Sequence, residues 1–129
     1  VSSVLLTTRM VLADFDVCAR EEFNVGFNLN KTSMLCAVAP GYPDRGGADT
    51  CKGDSGGPLW TRADNGEFLQ LGVTSFSSTE CGAAGGRSWF MNMTAFSGRV
   101  ENVLQGTYND WEMVYANYSN YIYVPDTVL

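Results

Sequence analysis

Residues 49–59 read DTCKGDSGGPL, and no other stretch of the chain says as much about its fold and chemistry. The serine at its centre, Ser55, has Gly53 before it and Gly56 and Gly57 after it. Glycine adopts dihedral angles that other residues avoid and carries no side chain, so backbone N–H groups can point together beside the serine. Such a turn can stabilise an oxyanion. On composition alone, the alternative is a flexible surface loop.

Short runs rich in β-branched and aromatic residues lie on both sides of this stretch, at residues 4–12, 35–39, 58–61, 68–76 and 88–93. Segments rich in Gly, Asn, Asp and Pro separate these runs. This spacing is typical of an antiparallel sandwich or barrel.

Between the predicted strands, the glycine-rich segments 40–57 and 82–86 are too irregular to pair, and long loops of this kind are usually functional or disordered. Only one segment looks helical. Thr94 can cap a turn whose apolar residues share one face at spacings of three and four, namely Phe96, Val100, Val103 and Leu104. The sequence therefore predicts one short helix near the end of the predicted sheet.

Composition restricts the class of protein. The formal net charge of -6 offers no attraction to phosphates or anionic lipid, so nucleic-acid binding is not expected. No run approaches the roughly 20 apolar residues that span a bilayer, and the opening residues do not resemble a signal peptide. The cysteines, Cys18, Cys36, Cys51 and Cys81, lack metal-site spacing and there is no histidine, so we expect no metal or cofactor. Two disulfides in an oxidising compartment are expected, with three possible pairings.

The segment CKGDSGGPL, at residues 51–59, resembles the active-site signature of the chymotrypsin/trypsin family. Further similarities follow in order along the chain, at residues 34–37, residues 72–76, Cys81, the pair Trp89 and Phe90, and residues 96–104. The resemblance covers roughly residues 3–105. It implies an all-β fold, containing most of the second antiparallel Greek-key barrel of a double-barrel protease and a short C-terminal helix. Residues 1–105 are accordingly assigned to this barrel portion, and residues 106–129 to a C-terminal extension.

The resemblance also implies roles for individual residues. Ser55 corresponds to the nucleophile, and its N–H and that of Gly53 to the oxyanion hole. Asp54 resembles the carboxylate that pairs with a new α-ammonium group after zymogen cleavage, although it could be an ordinary turn aspartate. Asp49 resembles the floor of a specificity pocket that favours Arg or Lys side chains. Its alternative is a solvated turn residue.

A substrate-binding set is implied as well, consisting of Asp49, Thr50, Lys52, Ser75, Phe76, Ser77 and Ser88. Residues 75–77 resemble the segment that pairs with the substrate backbone as an added strand. Phe76 stands where the family usually has tryptophan. Ser77 and Ser88 stand where trypsin-like pockets have glycine, so their side chains are expected to narrow the pocket.

The family's pairing implies disulfides Cys18–Cys36 and Cys51–Cys81. The catalytic histidine and aspartate of the family lie in the first barrel, and this chain has no histidine. We therefore predict a heterodimer, in which a separate N-terminal protease chain carries both residues and is held without a disulfide. Val1 is then expected to be a processing terminus, and the opening strand of the second barrel to belong to the partner.

These predictions favour a secreted trypsin-like serine endopeptidase, made as a zymogen, that cleaves a peptide or protein after Arg or Lys. One alternative is an inactive homologue that serves as a binding or structural module, which the aromatic residues 106–129 and the altered pocket walls favour. Another is an unrelated secreted β-sandwich with a chance motif. Sequons at Asn30, Asn92 and Asn117 suit a secreted glycoprotein, or are simply polar surface.

Overall fold

The computed structural model describes residues 2–22 and 28–106. In chain order the elements are β1 (Val11–Ala13), α1 (Phe15–Glu22), β2 (Met34–Val38), β3 (Pro58–Arg62), β4 (Phe68–Ser77), β5 (Arg87–Asn92) and α2 (Met93–Leu104). Asn117 and the remainder of the predicted extension after residue 106 lie outside the described residues. No helix in the described ranges is long and apolar enough to cross a membrane.

The strands form one antiparallel sheet in the order β1-β2-β5-β4-β3, curled into a half-barrel. The consecutive strands β3, β4 and β5 lie side by side, and β5 lies next to the earlier strand β2. This arrangement is Greek-key connectivity. Within the described ranges, β1 and β3 are the two edges of the sheet. The predicted all-β class and the short helix α2 are confirmed.

Strand β1 is much shorter than the predicted run at residues 4–12. Val11 pairs with Val38, the last residue of β2, and the ladder runs only from there to Ala13. Residues before Val11 would need partners beyond Val38, where the chain instead turns and Tyr42 N–H donates to the Ala39 carbonyl at 3.1 Å. The run has strand-forming residues, but no strand within the described ranges pairs with residues 4–10, so most of the prediction is wrong.

Helix α1 was not predicted from the sequence. Asp14 caps it, because Asp14 Oδ1 accepts the N–H groups of Asp16 at 2.9 Å and Val17 at 3.1 Å. Phe15, Cys18 and Ala19 contribute to the core. The aspartate cap and these apolar residues at spacings of three and four were local signals of a second helix.

The core of the sheet is built around Trp89 on β5, which is fully buried. Phe15 meets the Trp89 ring edge-on, with centroids 5.5 Å apart, and Phe76 stacks on it at 6.1 Å. Cys18 and Cys36 complete the buried centre and are joined by a disulfide. The core therefore ties α1 and β2 to the two strands, β4 and β5, that carry much of the candidate site.

Asn92, rather than Thr94, caps helix α2. The helix begins at Met93, and Asn92 Oδ1 accepts the Thr94 N–H at 3.1 Å. Asparagine is a strong N-cap residue, and here it is also the last residue of β5, paired with Gly72 on β4. Strand β5 therefore passes into α2 without a connecting loop.

Candidate functional site

Ser55 lies exposed in a tightly hydrogen-bonded turn between Cys51 and β3. Asp54 N–H donates to the Cys51 carbonyl at 3.0 Å, and Gly57 N–H donates to the Asp54 carbonyl at 2.9 Å. Gly53 and Gly56 have φ of 101° and 86°, in the left-handed region that only glycine adopts without strain. The glycines are therefore required by the turn itself, and Ser55 is held between them.

Hydrogen bonds to Thr74 connect the turn to β4. Gly56 N–H donates to the Thr74 carbonyl at 3.0 Å, and Thr74 N–H donates to the Gly57 carbonyl at 2.8 Å. The Thr74 hydroxyl donates to the same Gly57 oxygen at 3.0 Å. Thr74 is buried, so these bonds are protected from competing water. This residue was missing from the predicted site.

We expect Thr74→Val to reduce the stability of the full-length protein by about 1 kcal/mol. Valine keeps the shape of the side chain and the backbone N–H bond, but leaves the Gly57 carbonyl with one donor fewer. Urea denaturation of both proteins measures the difference. Thr61→Val, on exposed edge strand β3, is the matched control and should change stability by less than about 0.5 kcal/mol. Equal effects of the two substitutions would contradict the anchoring role.

Asp54 takes part in the same turn through its side chain. Its carboxylate oxygen Oδ2 accepts the Cys51 N–H at 2.8 Å, and the residue is exposed. This geometry is that of a turn aspartate, which was the alternative drawn from the sequence. The pairing with an α-ammonium group stays a prediction.

A second group of predicted residues surrounds Asp49, which is half-buried. Asp49 Oδ1 accepts the Thr50 N–H at 2.8 Å and the hydroxyl of Ser88, with the Ser77 hydroxyl further away at 3.5 Å. Asp49 Oδ2 accepts the Gly82 N–H at 2.9 Å. Asp49 thus accepts hydrogen bonds from two backbone N–H groups and from a buried hydroxyl. The sequence had given no indication of the Gly82 contact.

Three hydroxyl groups, those of Thr50, Ser77 and Ser88, form a hydroxyl cluster against this carboxylate. Thr50 Oγ1 donates to Ser88 Oγ at 3.2 Å and lies 3.1 Å from Ser77 Oγ. Ser77 and Ser88 are direct partners in the β4–β5 ladder, and Ser88 is fully buried. The structure therefore brings four residues of the predicted substrate-binding set into one hydrogen-bonded group.

The described residues contain two disulfides, one of which lies beside this group. Cys51–Cys81 joins the Ser55 turn to the residue next to Gly82, and Cys18–Cys36 joins α1 to β2. These are the pairings that the family resemblance implied. The Cys51–Cys81 disulfide links the two segments whose N–H groups bind Asp49, because Thr50 is adjacent to Cys51 and Gly82 is adjacent to Cys81.

Strand β4 carries a bulge at the predicted substrate-binding segment. Its pairing with β5 shifts register between Thr74 and Phe76, which leaves Ser75 as the extra residue. Ser75 is exposed, whereas Phe76 turns toward the core and stacks on Trp89. Bulges of this kind re-aim side chains and are frequent beside active sites.

Lys52 belongs to the Ser55 turn, and the two predicted glycosylation sites in the described residues lie elsewhere. Lys52 is exposed in the turn before Gly53. Asn30 is exposed, and its side-chain oxygen accepts the N–H groups of Thr32 at 2.9 Å and Ser33 at 3.2 Å. The amide nitrogen of Asn92 donates to the Thr32 carbonyl at 3.4 Å.

The family model for trypsin matches residues 1–99, a range that contains the Ser55 turn, the Asp49 group and both disulfides. The chain belongs to the trypsin family. Among the relatives of known function, a proclotting enzyme of Tachypleus tridentatus is 33% identical over 95 residues, which are 74% of this chain and 24% of that protein. A CLIP domain-containing serine protease B4 of Anopheles gambiae is 34% identical over 91 residues, 70% of this chain and 23% of that protein.

A bacterial member of the trypsin family is similar as well. The trypsin-like protease of Streptomyces glaucescens is 34% identical over 76 residues, 59% of this chain and 26% of that protein. The chain thus spans about a quarter of the length of the relatives it matches.

Proposed function

We propose that this chain carries the nucleophile of a secreted trypsin-like serine endopeptidase that cleaves after Arg or Lys. The observation that supports the proposal most strongly is the exposed position of Ser55 in a glycine turn. Thr74 hydrogen-bonds this turn to the sheet, and both lie in the part of the chain that matches the trypsin family. Ser55 Oγ attacks the substrate carbonyl carbon, and the peptide C–N bond breaks to give an acyl-enzyme and a free amine. The N–H groups of Gly53 and Ser55 stabilise the oxyanion formed on the way.

Ser55 needs a base to take its proton, and none of the 129 residues is a histidine. We propose that a polypeptide outside residues 1–129 supplies the imidazole together with its orienting aspartate, and that it is a separate chain. Open edges support this proposal. Both β1 and β3 are edge strands among the described elements, and Leu12 and Trp60 on them are about half exposed. A strand from the partner that paired with an edge would satisfy the free backbone N–H and C=O groups of that edge.

The specificity for Arg or Lys is proposed from Asp49. A half-buried carboxylate favours a cationic side chain, because an apolar one would bury the negative charge further without supplying a positive charge to balance it. The phenyl ring of Phe76 and the exposed Ser75 at the bulge are proposed to line the path of the substrate backbone.

Secretion, zymogen activation and glycosylation belong to the same proposal. Two disulfides are typical of an oxidising compartment. Cleavage of the zymogen would free an α-ammonium group that competes with Cys51 N–H for the Asp54 carboxylate. Among the sequons in the described residues, Asn30 is the more exposed and is the proposed glycan site.

A fluorophosphonate probe tests the function directly, since it phosphonylates a serine only when the nucleophile, base and oxyanion hole are assembled. We expect the purified full-length protein to be labelled, with the adduct on the peptide that contains Ser55. Denaturing electrophoresis of the same sample should separate a second chain, whose sequence includes the histidine and aspartate. An unlabelled protein in its native assembly would refute the enzymatic proposal.

The second candidate function is an inactive homologue that binds a protein partner. One observation favours it: hydroxyl and amide groups of the chain itself already occupy the Asp49 carboxylate. The same labelling experiment separates the two functions, because a homologue without an assembled catalytic centre does not react with the probe.

A further inference from the structure

Helix α2 has an apolar face that the described part of the chain leaves poorly covered. Four side chains share this face at spacings of three and four, namely Phe96, Val100, Val103 and Leu104. None of them is buried, and Val100, Val103 and Leu104 are 41%, 46% and 76% exposed. An apolar stripe along a helix normally packs against another element, so this face is a candidate docking surface.

The stability of α2 depends on such a contact. The helix has 12 residues, and helices shorter than about 12–15 residues are marginal in water unless an apolar face is packed. Gly98 in its interior and the β-branched Val100 and Val103 lower its intrinsic helix propensity further. Whatever covers the apolar face therefore contributes directly to keeping α2 helical.

The C-terminal end of α2 brings the following chain to this face. Gly106 has φ of 70°, in the left-handed region, and its N–H donates to the Val103 carbonyl at 3.1 Å. This bond belongs to the Schellman ending of a helix, after which the next residue frequently contacts the last turns of the helix. The chain therefore leaves α2 next to the end of the face that Val103 and Leu104 form.

The residues that follow Gly106 have a composition suited to an apolar face. Residues 107–129 include five tyrosines and one tryptophan, and each such side chain can bury roughly 150–250 Å². The first two of them, Tyr108 and Trp111, are within reach of the whole face. Helix α2 is about 18 Å long, and about six extended residues span that distance.

We propose that residues 107–129 dock on the apolar face of α2, and that Tyr108 and Trp111 supply the main contacts. The charges of the two segments agree with this docking. Residues 107–129 carry three acidic residues and no basic one, and Arg99, the basic residue of α2, lies beside the face with its guanidinium 6.0 Å from the Phe96 ring. The extension is then the cover of the helix in which the trypsin-family match ends.

Photocross-linking of the full-length protein in its native assembly identifies what covers the face. With benzoylphenylalanine in place of Val103, we expect light to link position 103 to residues 108–111 of the same chain, as located by mass spectrometry. The matched control carries the probe at Glu101, on the polar side of α2, where Glu101 Oε1 accepts Gln105 Nε2 at 2.7 Å. A segment that is only tethered nearby would react with both probes, and a docked one reacts with the first alone. Reaction with both probes, a link to a second copy or to another polypeptide, or no link to residues 107–129 would overturn the inference.

Amide hydrogen exchange tests whether the docking stabilises α2, and it requires no enzymatic activity. Tyr108→Ser combined with Trp111→Ser should speed up exchange of the α2 amides at least about tenfold, because the helix loses its apolar cover. The β5 amides of the same sample report on unfolding of the rest of the chain and should not change. Tyr121→Ser combined with Tyr123→Ser is the matched control and should change α2 exchange by less than about twofold. Equal effects of the two pairs, or no effect of the first pair, would refute the proposed contacts.

Discussion

Ser55→Ala should lower kcat/KM of the full-length protein for a peptide substrate by at least about a thousandfold. The alanine variant has no atom that can form the acyl-enzyme, so only binding and the oxyanion hole remain to accelerate attack by water. Ser55 is exposed and its side chain fills no cavity, so the free energy of unfolding should change by less than about 0.5 kcal/mol. Initial-rate kinetics and urea denaturation on the same preparation measure the two effects.

Loss of activity without loss of stability is the result that separates a catalytic serine from a structural one. Ser97→Ala, on helix α2 and outside the 49–59 stretch, is the control and should keep full activity. Activity within tenfold of the parent protein after Ser55→Ala would show that another group performs the reaction.

Trp89→Ala should destabilise the full-length protein by about 3–5 kcal/mol, the typical cost of removing a large buried aromatic side chain. Trp89 is fully buried and contacts the rings of Phe15 and Phe76, so its removal leaves a cavity between α1 and the sheet. Such a loss is a large fraction of the 5–15 kcal/mol that usually stabilises a protein. The urea midpoint should fall accordingly.

A graded variant distinguishes packing from a general intolerance of substitution at this position. Trp89→Phe keeps a ring that can pack with Phe15 and Phe76, so it should lose less than half of what alanine loses. Equal losses for the two variants would contradict the ring packing. A loss below about 1 kcal/mol for alanine would contradict the central place of Trp89 in the core.

The sequence predicted four of the five strands closely, including the edge strand β3, and failed at the other edge strand, β1. Residues 58–61 and 68–76 differ from β3 and β4 by one residue at one end, and residues 35–39 and 88–93 differ from β2 and β5 by one residue at each end. Each of these runs is rich in β-branched and aromatic residues and has a strand to pair with. Residues 4–10 have a similar composition, but β2 ends at Val38 and offers them no partner. A strand needs a neighbour as well as suitable residues, and the local sequence contains no information about where that neighbour ends.

The sequence likewise predicted some features of the candidate site and missed others. Gly53, Gly56 and the turn at Ser55 could be predicted, because the glycines adopt their dihedral angles locally. Thr74 could not, since its bonds to Gly57 depend on the register of β4 and on the bulge at Ser75. The Gly82 bond to Asp49 likewise requires two loops to meet that are 33 residues apart.

The bonds between Thr74 and Gly57 have a mechanical consequence. One carbonyl oxygen receives both donors of the same residue, so the turn that holds Ser55 cannot shift without pulling on β4. On its other side, the same part of β4 is paired with β5. The position of Ser55 is therefore coupled through Thr74 to two inner strands of the sheet, and a displacement of either strand would move the turn.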